Sequence, residues 1–490
     1  MNGPLKRVAI ACLLMFGLLM FNVNYLQAVK ADKLSADSRN DRNFYNRYEV
    51  ERGRITAGDK VLAESVDTGV NKDFRFERRY PGGKVYAPIT GFFAPESERD
   101  MERAENGLLN GSSADLLIRR GIDLFSGKKT KGANVDLTID PKAQEAAYEA
   151  LSASGKKGAL VAIEPKTGAI RAMVSVPSYD PNPLAKPNKA DVNRAYNKLD
   201  KNADKPLVNR AIERTYPPGS TFKVVTMAAY LESDDSLGPQ SQIDAPQVLD
   251  LPNTTHDLPN YAGAACGAGR VTLSFALEKS CNTPFGKMAM DLGYDALQKQ
   301  SEKFGIGGEP LSIPLAVAGS RLRGDEDLDA DKAALAQTAI GQRSNQMTPL
   351  QMAMIAAGIA NNGVVMKPYL VNKVADAEGN EIESADPEEL STAVSEETAA
   401  KLKEMMVNVV DIGTAGAAKV PGVTVGGKTG TAETADGRDP HAWFISFAPA
   451  EDPKIAVALI VESGSAGGEA TGGHTAAPIA KSVMEAVLRR

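Results

Sequence analysis

The chain has 490 residues, enough for two or three domains and a large core, and its 43% hydrophobic and 24% charged content is that of a globular protein. A net charge of −6 gives no electrostatic case for nucleic-acid binding. Three cysteines and three histidines, widely scattered, leave little material for a metal site; neither a metal nor a cofactor is expected.

Residues 1–7 carry Lys6 and Arg7. From Val8 to Phe21 no polar residue intervenes, and apolar character continues to Leu26 despite Asn22 and Asn24. At ~1.5 Å per residue this stretch spans roughly 28 Å, about one bilayer core. The competing reading is a cleaved signal peptide, but Ala28-Val29-Lys30-Ala31 is a poor cleavage site. The expectation is therefore a cytoplasmic tail at 1–7 and a single-pass transmembrane signal-anchor at 8–28. The positive flank before the span puts the rest of the chain on the extracytoplasmic side of the cell membrane, although Lys30 and Lys33 weaken the asymmetry.

Residues 29–154 read as a small α/β pedestal without a catalytic cluster. Short strands are expected at 52–56 and 60–63 around the Ala57-Gly58-Asp59 turn, then at 75–80 and 85–87, with a helical patch over 97–109. Val135–Ile139 alternates as a strand. Asp140 and Pro141 then cap a helix over 142–152.

Ala159–Ile163 and Ala169–Val174 are apolar strands of a hairpin, and residues 177–209 read as a polar connection. Next comes Tyr216-Pro217-Pro218-Gly219-Ser220-Thr221-Phe222-Lys223, a tight entry into a helix with nearly all faces apolar. Ser220 sits at the helix start with Lys223 one turn on. A serine needs a base, and a lysine in a dry core can lose its charge and act as one. Ser-x-x-Lys also occurs at Ser126–Lys129 and Ser154–Lys157, in Gly/Lys-rich segments that read as solvated loops.

Residues 232–270 lack a sustained period. Helices are expected at 271–278, 285–292, 294–304 and 350–360, a hairpin around Glu378-Gly379-Asn380, and a helix from the Ser395 cap to about Val410. Strands at 423–428, 442–447 and 454–461 form an antiparallel meander before a closing helix at 476–488. Strands, then helices, then strands indicate a segregated α+β domain over 155–490.

Two further motifs fit the first. Ser280-Cys281-Asn282 offers a proton-relaying hydroxyl beside an amide that donates and accepts; Ser38-Arg39-Asn40 shares the pattern in a charged stretch. Lys428-Thr429-Gly430-Thr431 offers a fixed cation, two hydroxyls for a carboxylate and a glycine that admits a substrate backbone. Lys166-Thr167-Gly168 is only a turn tip.

The order Ser-x-x-Lys, Ser-x-Asn, Lys-Thr-Gly resembles the penicillin-binding proteins and serine β-lactamases. Gly341-Gln342, Thr348-Pro349-Leu350-Gln351, Gly413-Thr414-Ala415 and Ala442-Trp443-Phe444 extend the likeness, although Arg343 stands where glycine is common. Arg52-Gly53-Arg54-Ile55 and Leu137-Thr138-Ile139-Asp140 resemble blocks of the monofunctional class B branch. The resemblance implies a transmembrane helix, a pedestal or dimerisation-like domain, and a transpeptidase domain with an antiparallel sheet, helices on both faces and an all-helical lobe.

It also implies a peptidoglycan D,D-transpeptidase, inhibited by β-lactam antibiotics, that cross-links stem peptides during growth or division. Ser220 would attack the D-Ala-D-Ala carbonyl, Lys223 would be its base, Ser280 would relay the proton and Asn282 would orient the peptide. Lys428 would keep the site positive, Thr429 and Thr431 would hold the terminal carboxylate beside Gly430, and the N–H groups of Ser220 and Thr431 would form the oxyanion hole. By the same analogy the partners are a membrane-embedded glycan polymerase and divisome or elongation proteins. The alternatives are a D,D-carboxypeptidase, a membrane-anchored serine β-lactamase, for which no deacylating glutamate can be assigned, and a non-catalytic sensor or scaffold.

Cys266 and Cys281 could form a disulfide beside the site in an oxidising compartment, or remain separate thiols with Cys281 as a small buried hydrophobe. His441 reads as a turn residue, with a cleft-lining position as the alternative.

Overall fold

The computed structural model describes residues 2–28, 30, 47–69, 74–113, 131–322, 327–328, 330–434, 439–463 and 472–489. Helix α1 (Asn2–Ala28) contains an apolar stretch, Gly3–Leu26, of mean hydropathy 1.9 with no burial against the rest of the chain. By length and composition it can cross a membrane. Ser126–Lys129 and Ser38–Asn40 lie outside the described residues.

The pedestal is built on a mixed six-stranded sheet. Its strands are β1 (Ile55–Ala57), β2 (Lys60–Asp67), β3 (Phe76–Arg79) and β4 (Asn134–Leu137), completed by a hairpin from far along the chain, β7 (Val371–Ala375) and β8 (Glu381–Ser384). The spatial order is β8-β7-β4-β1-β2-β3, with β1 and β4 parallel. The hairpin expected around Glu378-Gly379-Asn380 is present, but it closes this sheet. The strand expected at 85–87 is instead part of a helix, Gly83–Thr90, whose Tyr86, Ala87, Ile89 and Thr90 are buried. Tertiary burial overrides the local β-propensity of Val85 and Tyr86 here.

A buried ionic cluster ties the pedestal together. Glu102 accepts from Arg52 Nη2 at 2.7 Å, Arg78 Nε at 2.6 Å and the Tyr80 hydroxyl at 3.1 Å. Burial alone would raise the Glu102 pKa, but Arg78 and Arg52 hold it below the ordinary value. Gly53 follows Arg52 because a Cβ there would lie 1.7 Å from the Ala133 carbonyl oxygen.

The larger unit is a five-stranded antiparallel sheet. With β5 (Gly158–Ile163), β6 (Ile170–Val176), β9 (Gly426–Ala432), β10 (His441–Ala448) and β11 (Ile455–Val461), its order is β9-β10-β11-β5-β6. Strands β5 and β11 are buried at every position, which accounts for their unbroken apolar runs. Helices α2 (Pro141–Ala153) and α8 (Ala477–Leu488) pack together on one face. The Asp140 carboxylate accepts from the N–H groups of Lys142 and Ala143, capping α2.

The helical lobe includes α3 (Lys223–Leu231), α4 (Leu273–Glu278), α5 (Thr283–Leu292), α6 (Pro349–Ala360) and α7 (Glu396–Asp411). All twelve residues of α6 are buried, and it packs against β5, β10 and β11. The connection at 177–209 also contains a helix, Lys189–Asp200, capped by Asn188. Val192 is buried and Ala195 and Leu199 are partly buried, a short apolar stripe at i, i+3 and i+7 that the reading of this stretch as a connection overlooked.

Candidate active site

Ser220 lies half-buried on a 3-10 turn, Gly219–Phe222, that runs straight into α3. The turn packs against the edge strand β9. Gly219 has φ +54°, and a Cβ there would lie 2.4 Å from the Thr431 carbonyl oxygen. The entry is braced from behind. Trp443 Nε1 donates to the Pro217 carbonyl at 2.9 Å, and Tyr216 packs edge-on against Trp443 and His441. The Tyr216 hydroxyl donates to Glu462 at 2.7 Å, which also receives Arg210 Nε at 3.0 Å.

Lys223 is fully buried. Its Nζ donates to the Ser280 carbonyl and to Asn282 Oδ1, each at 2.7 Å. Burial, then the positive charge of Lys428, pushes its pKa well below the usual lysine value. A neutral amine has two N–H bonds and one lone pair. Both acceptors take an N–H, which leaves the lone pair for a third group, and Ser220 is one turn away. The Ser220 hydroxyl has no hydrogen-bond partner among the described residues.

Ser280 sits just beyond the end of α4 with φ +58°. Its N–H donates to the Leu277 carbonyl at 3.2 Å and that of Cys281 to the Ala276 carbonyl at 3.0 Å. This is a Schellman ending with serine where glycine is usual, a local strain of about 1 kcal/mol held in place by the surroundings. Cys281 is bridged to Cys266, with Cα atoms 5.9 Å apart, so the pairing reading holds and the separate-thiol reading does not. Asn282 Nδ2 donates to the Pro259 carbonyl at 2.9 Å.

Lys428 is also fully buried, and burial lowers its pKa to about 7. Its Nζ donates to Ser280 Oγ at 2.8 Å and to the Thr429 carbonyl at 2.9 Å. Ser220, Lys223, Ser280, Asn282 and Lys428 therefore converge from four separate elements.

On the Lys-Thr-Gly strand, Thr429 is buried and its hydroxyl shares a hydrogen bond with that of Thr414 at 2.7 Å, and Thr431 is half-buried. A Cβ on Gly430 would lie 2.8 Å from Thr221 Cγ2 and 3.0 Å from the Pro218 oxygen, so glycine lets β9 approach the Ser220 turn. One expectation needs correction. His441 is not a turn residue: it opens β10, accepts the Ser463 N–H at 3.1 Å, and lines a cavity of about 530 Å³ beside Pro217, Arg343 and Glu433.

Sequence reasoning missed Pro259, Asn260 and Glu462, and it quoted Arg210 within the block Asn209-Arg210-Ala211 without giving it a role. Their signal is long-range pairing, which no local pattern carries. Thr414 lies in a block that was singled out, Gly413-Thr414-Ala415, but without a role.

The chain belongs to the penicillin-binding protein transpeptidase family: the family model described as "Penicillin binding protein transpeptidase domain" matches residues 158–485. The model described as "Penicillin binding protein A dimerisation domain" matches residues 52–135. Among individual relatives, it is 45% identical over 497 residues to the peptidoglycan D,D-transpeptidase PbpA of Mycolicibacterium smegmatis, covering 100% of this chain and 99% of that protein. It is 44% identical over 499 residues to the protein of that name in Mycobacterium tuberculosis, with coverage of 100% and 99%. The structure of penicillin-binding protein A from M. tuberculosis as a ceftriaxone acyl-enzyme complex matches with a TM-score of 0.86 and 44% identity, covering 91% of this chain and 100% of that one.

Proposed function

We propose that this penicillin-binding protein is a peptidoglycan D,D-transpeptidase in which Ser220 is the acylated nucleophile and Lys223 its base. The observation that carries the residue assignment is the buried Lys223 amine, with both N–H bonds committed to Ser280 and Asn282. Ser220 Oγ attacks the carbonyl between the two terminal D-alanines of a stem peptide as its proton passes to Lys223. The C–N bond then breaks, and the proton is delivered through Ser280 to the departing D-alanine nitrogen. Lys428, bonded to Ser280 Oγ, stabilises negative charge on that relay. An amine of a neighbouring stem attacks the acyl-enzyme, its proton returns to Ser220 through the same groups, and a cross-link results. Water in place of the amine would give carboxypeptidase activity. A β-lactam acylates Ser220 and stays attached.

In this reading α1 anchors the chain in the cell membrane, the six-stranded sheet of residues 55–137 with the 371–384 hairpin forms a pedestal facing the wall, and the rest of the chain from α2 onward carries the catalysis outside the cytoplasm. A membrane-embedded glycan polymerase and division or elongation proteins are the partners. Labelling with a fluorescent penicillin tests the nucleophile: Ser220→Ala is expected to abolish the label while near-native circular dichroism persists. Retained labelling in that variant would overturn the assignment. Cross-linked product measured against free D-alanine separates transferase from carboxypeptidase.

A further inference from the structure

The amide of Asn282 can hold Lys223 in only one orientation. Lys223 must meet Oδ1, because the other end of the amide faces the Pro259 carbonyl, which only accepts. The orientation of the base therefore depends on the placement of the Asn282 backbone relative to residues 259–260. One buried side chain accepts both N–H groups at that point of the backbone. Asn260 is 5% exposed, and its Oδ1 accepts the N–H of Asn282 at 2.8 Å and the N–H of Thr283 at 3.1 Å. Asn282 is the N-cap residue of α5 and its own side chain makes no capping bond, because it is turned toward Lys223. Asn260 thus caps α5 from a distant loop and frees Asn282 for the site. Its Nδ2 donates to the Gln247 carbonyl at 3.3 Å, which anchors the capping loop in turn.

We infer that Asn260 is a positioning residue of the acylation reaction: through the backbone of Asn282 it aligns that side chain, and with it the Lys223 amine, on Ser220. The inference rests on the reading of Lys223 as the base. Asn260 is buried and bonded to the backbone behind Asn282, so it is expected to act on the acylation step and not on encounter. The disulfide at Cys281 and the Schellman ending hold the other side of the motif; Asn260 binds the two N–H groups at its exit into α5, where Thr283 Oγ1 also donates to the Pro246 carbonyl at 2.8 Å. A misplacement of about 1 Å in such a group is enough to cost about 100-fold in rate.

The test compares full-length Asn260→Ala and Asn260→Asp with the parent in detergent micelles. The concentration dependence of acylation by a fluorescent penicillin separates encounter affinity from the first-order acylation step. Asn260→Ala is expected to slow the acylation step about 10- to 100-fold with encounter affinity within about threefold. Asn260→Asp keeps the acceptor oxygen and is expected to stay within about threefold of the parent. If Asn260→Ala fails to fold, Asn260→Ser, whose shorter side chain cannot span to both N–H groups, takes its place with the same expected ordering. Parent-like acylation in the Ala or Ser variant overturns the inference, and so does equal impairment of Ala and Asp variants. Lys223→Ala is measured alongside. If it retains labelling, the base assignment fails whatever Asn260 does; if it loses labelling while the Asn260→Ala step is parent-like, only the Asn260 inference fails.

Discussion

Replacing Lys428 by methionine should separate the cost of a buried cation from its use. Methionine keeps an unbranched stem of similar reach but cannot titrate. In the folded chain the Lys428 pKa falls from 10.5 to about 7 because the ammonium is buried. Between those values the unfolded chain binds the extra proton, so the parent gains stability as pH rises from 7 and loses it as pH falls toward 7. Holding this lysine costs about 5 kcal/mol at pH 6 and about 2 kcal/mol at pH 9. The methionine variant also leaves Ser280 Oγ and the Thr429 carbonyl without a donor, at about 1–3 kcal/mol each, but this loss is the same at both pH values. Relative to the parent, the variant should therefore be about 3 kcal/mol more stable at pH 6 than at pH 9. The release of Lys223 from a like charge acts in the same direction.

Denaturant unfolding followed by tryptophan fluorescence is the assay. Trp443 is the sole tryptophan, fully buried and bonded to the turn that carries Ser220. In the same variant Lys223 should titrate higher, so the acid limb of the penicillin-acylation profile should move to higher pH while the maximal rate falls. A stability difference independent of pH, or an acid limb that moves down, would refute the reasoning.

Other perturbations test other parts of the molecule. Glu102→Ala strands Arg52 and Arg78 in the pedestal core and should cost about 3–5 kcal/mol, read as a lowered thermal midpoint. Cys266→Ala with Cys281→Ala opens a loop of 15 residues and should cost up to about 3 kcal/mol, measured by denaturant unfolding, with slower acylation because the Ser280 turn is no longer braced. Gly219→Ala meets both a left-handed backbone and the Thr431 oxygen; β9 must back away, and penicillin acylation should fall by tenfold or more with little change in far-ultraviolet circular dichroism.

The residues of the candidate site were legible because each motif is short and contiguous. Ser220 and Lys223 share one helix turn, and burial of that helix follows from its apolar faces. Strands β10 and β11 were legible from their continuous apolar runs, whereas the strand expected at 423–428 lies at Gly426–Ala432, where its pairing with β10, and not an apolar run, defines it. What depends on partners elsewhere in the chain was not legible. The hydrogen bond between the Thr429 and Thr414 hydroxyls and the packing of Gly430 against Pro218 and Thr221 have no local signal in the sequence. Asn260 sits in a stretch with no period, where its capping of α5 leaves no trace in the sequence. The strand expected at Val85–Ala87 failed because β-branched and aromatic residues can equally well bury one side of a short helix.

The hairpin β7–β8 has a consequence for how the protein is made. Strand β4 bonds β1 on one side and β7 on the other, and Asn134 reaches Asp376 across 242 positions of sequence. A chain synthesised from its N-terminus presents β1 to β4 long before β7 arrives. During that interval β4 is an open sheet edge, with Val135 and Leu137 awaiting cover, and such edges pair readily with other chains. The pedestal therefore cannot finish folding ahead of the catalytic part. Its completion waits until most of the chain has emerged, which makes the assembled pedestal a sign that the segment carrying Ser220 and Lys223 has already been made.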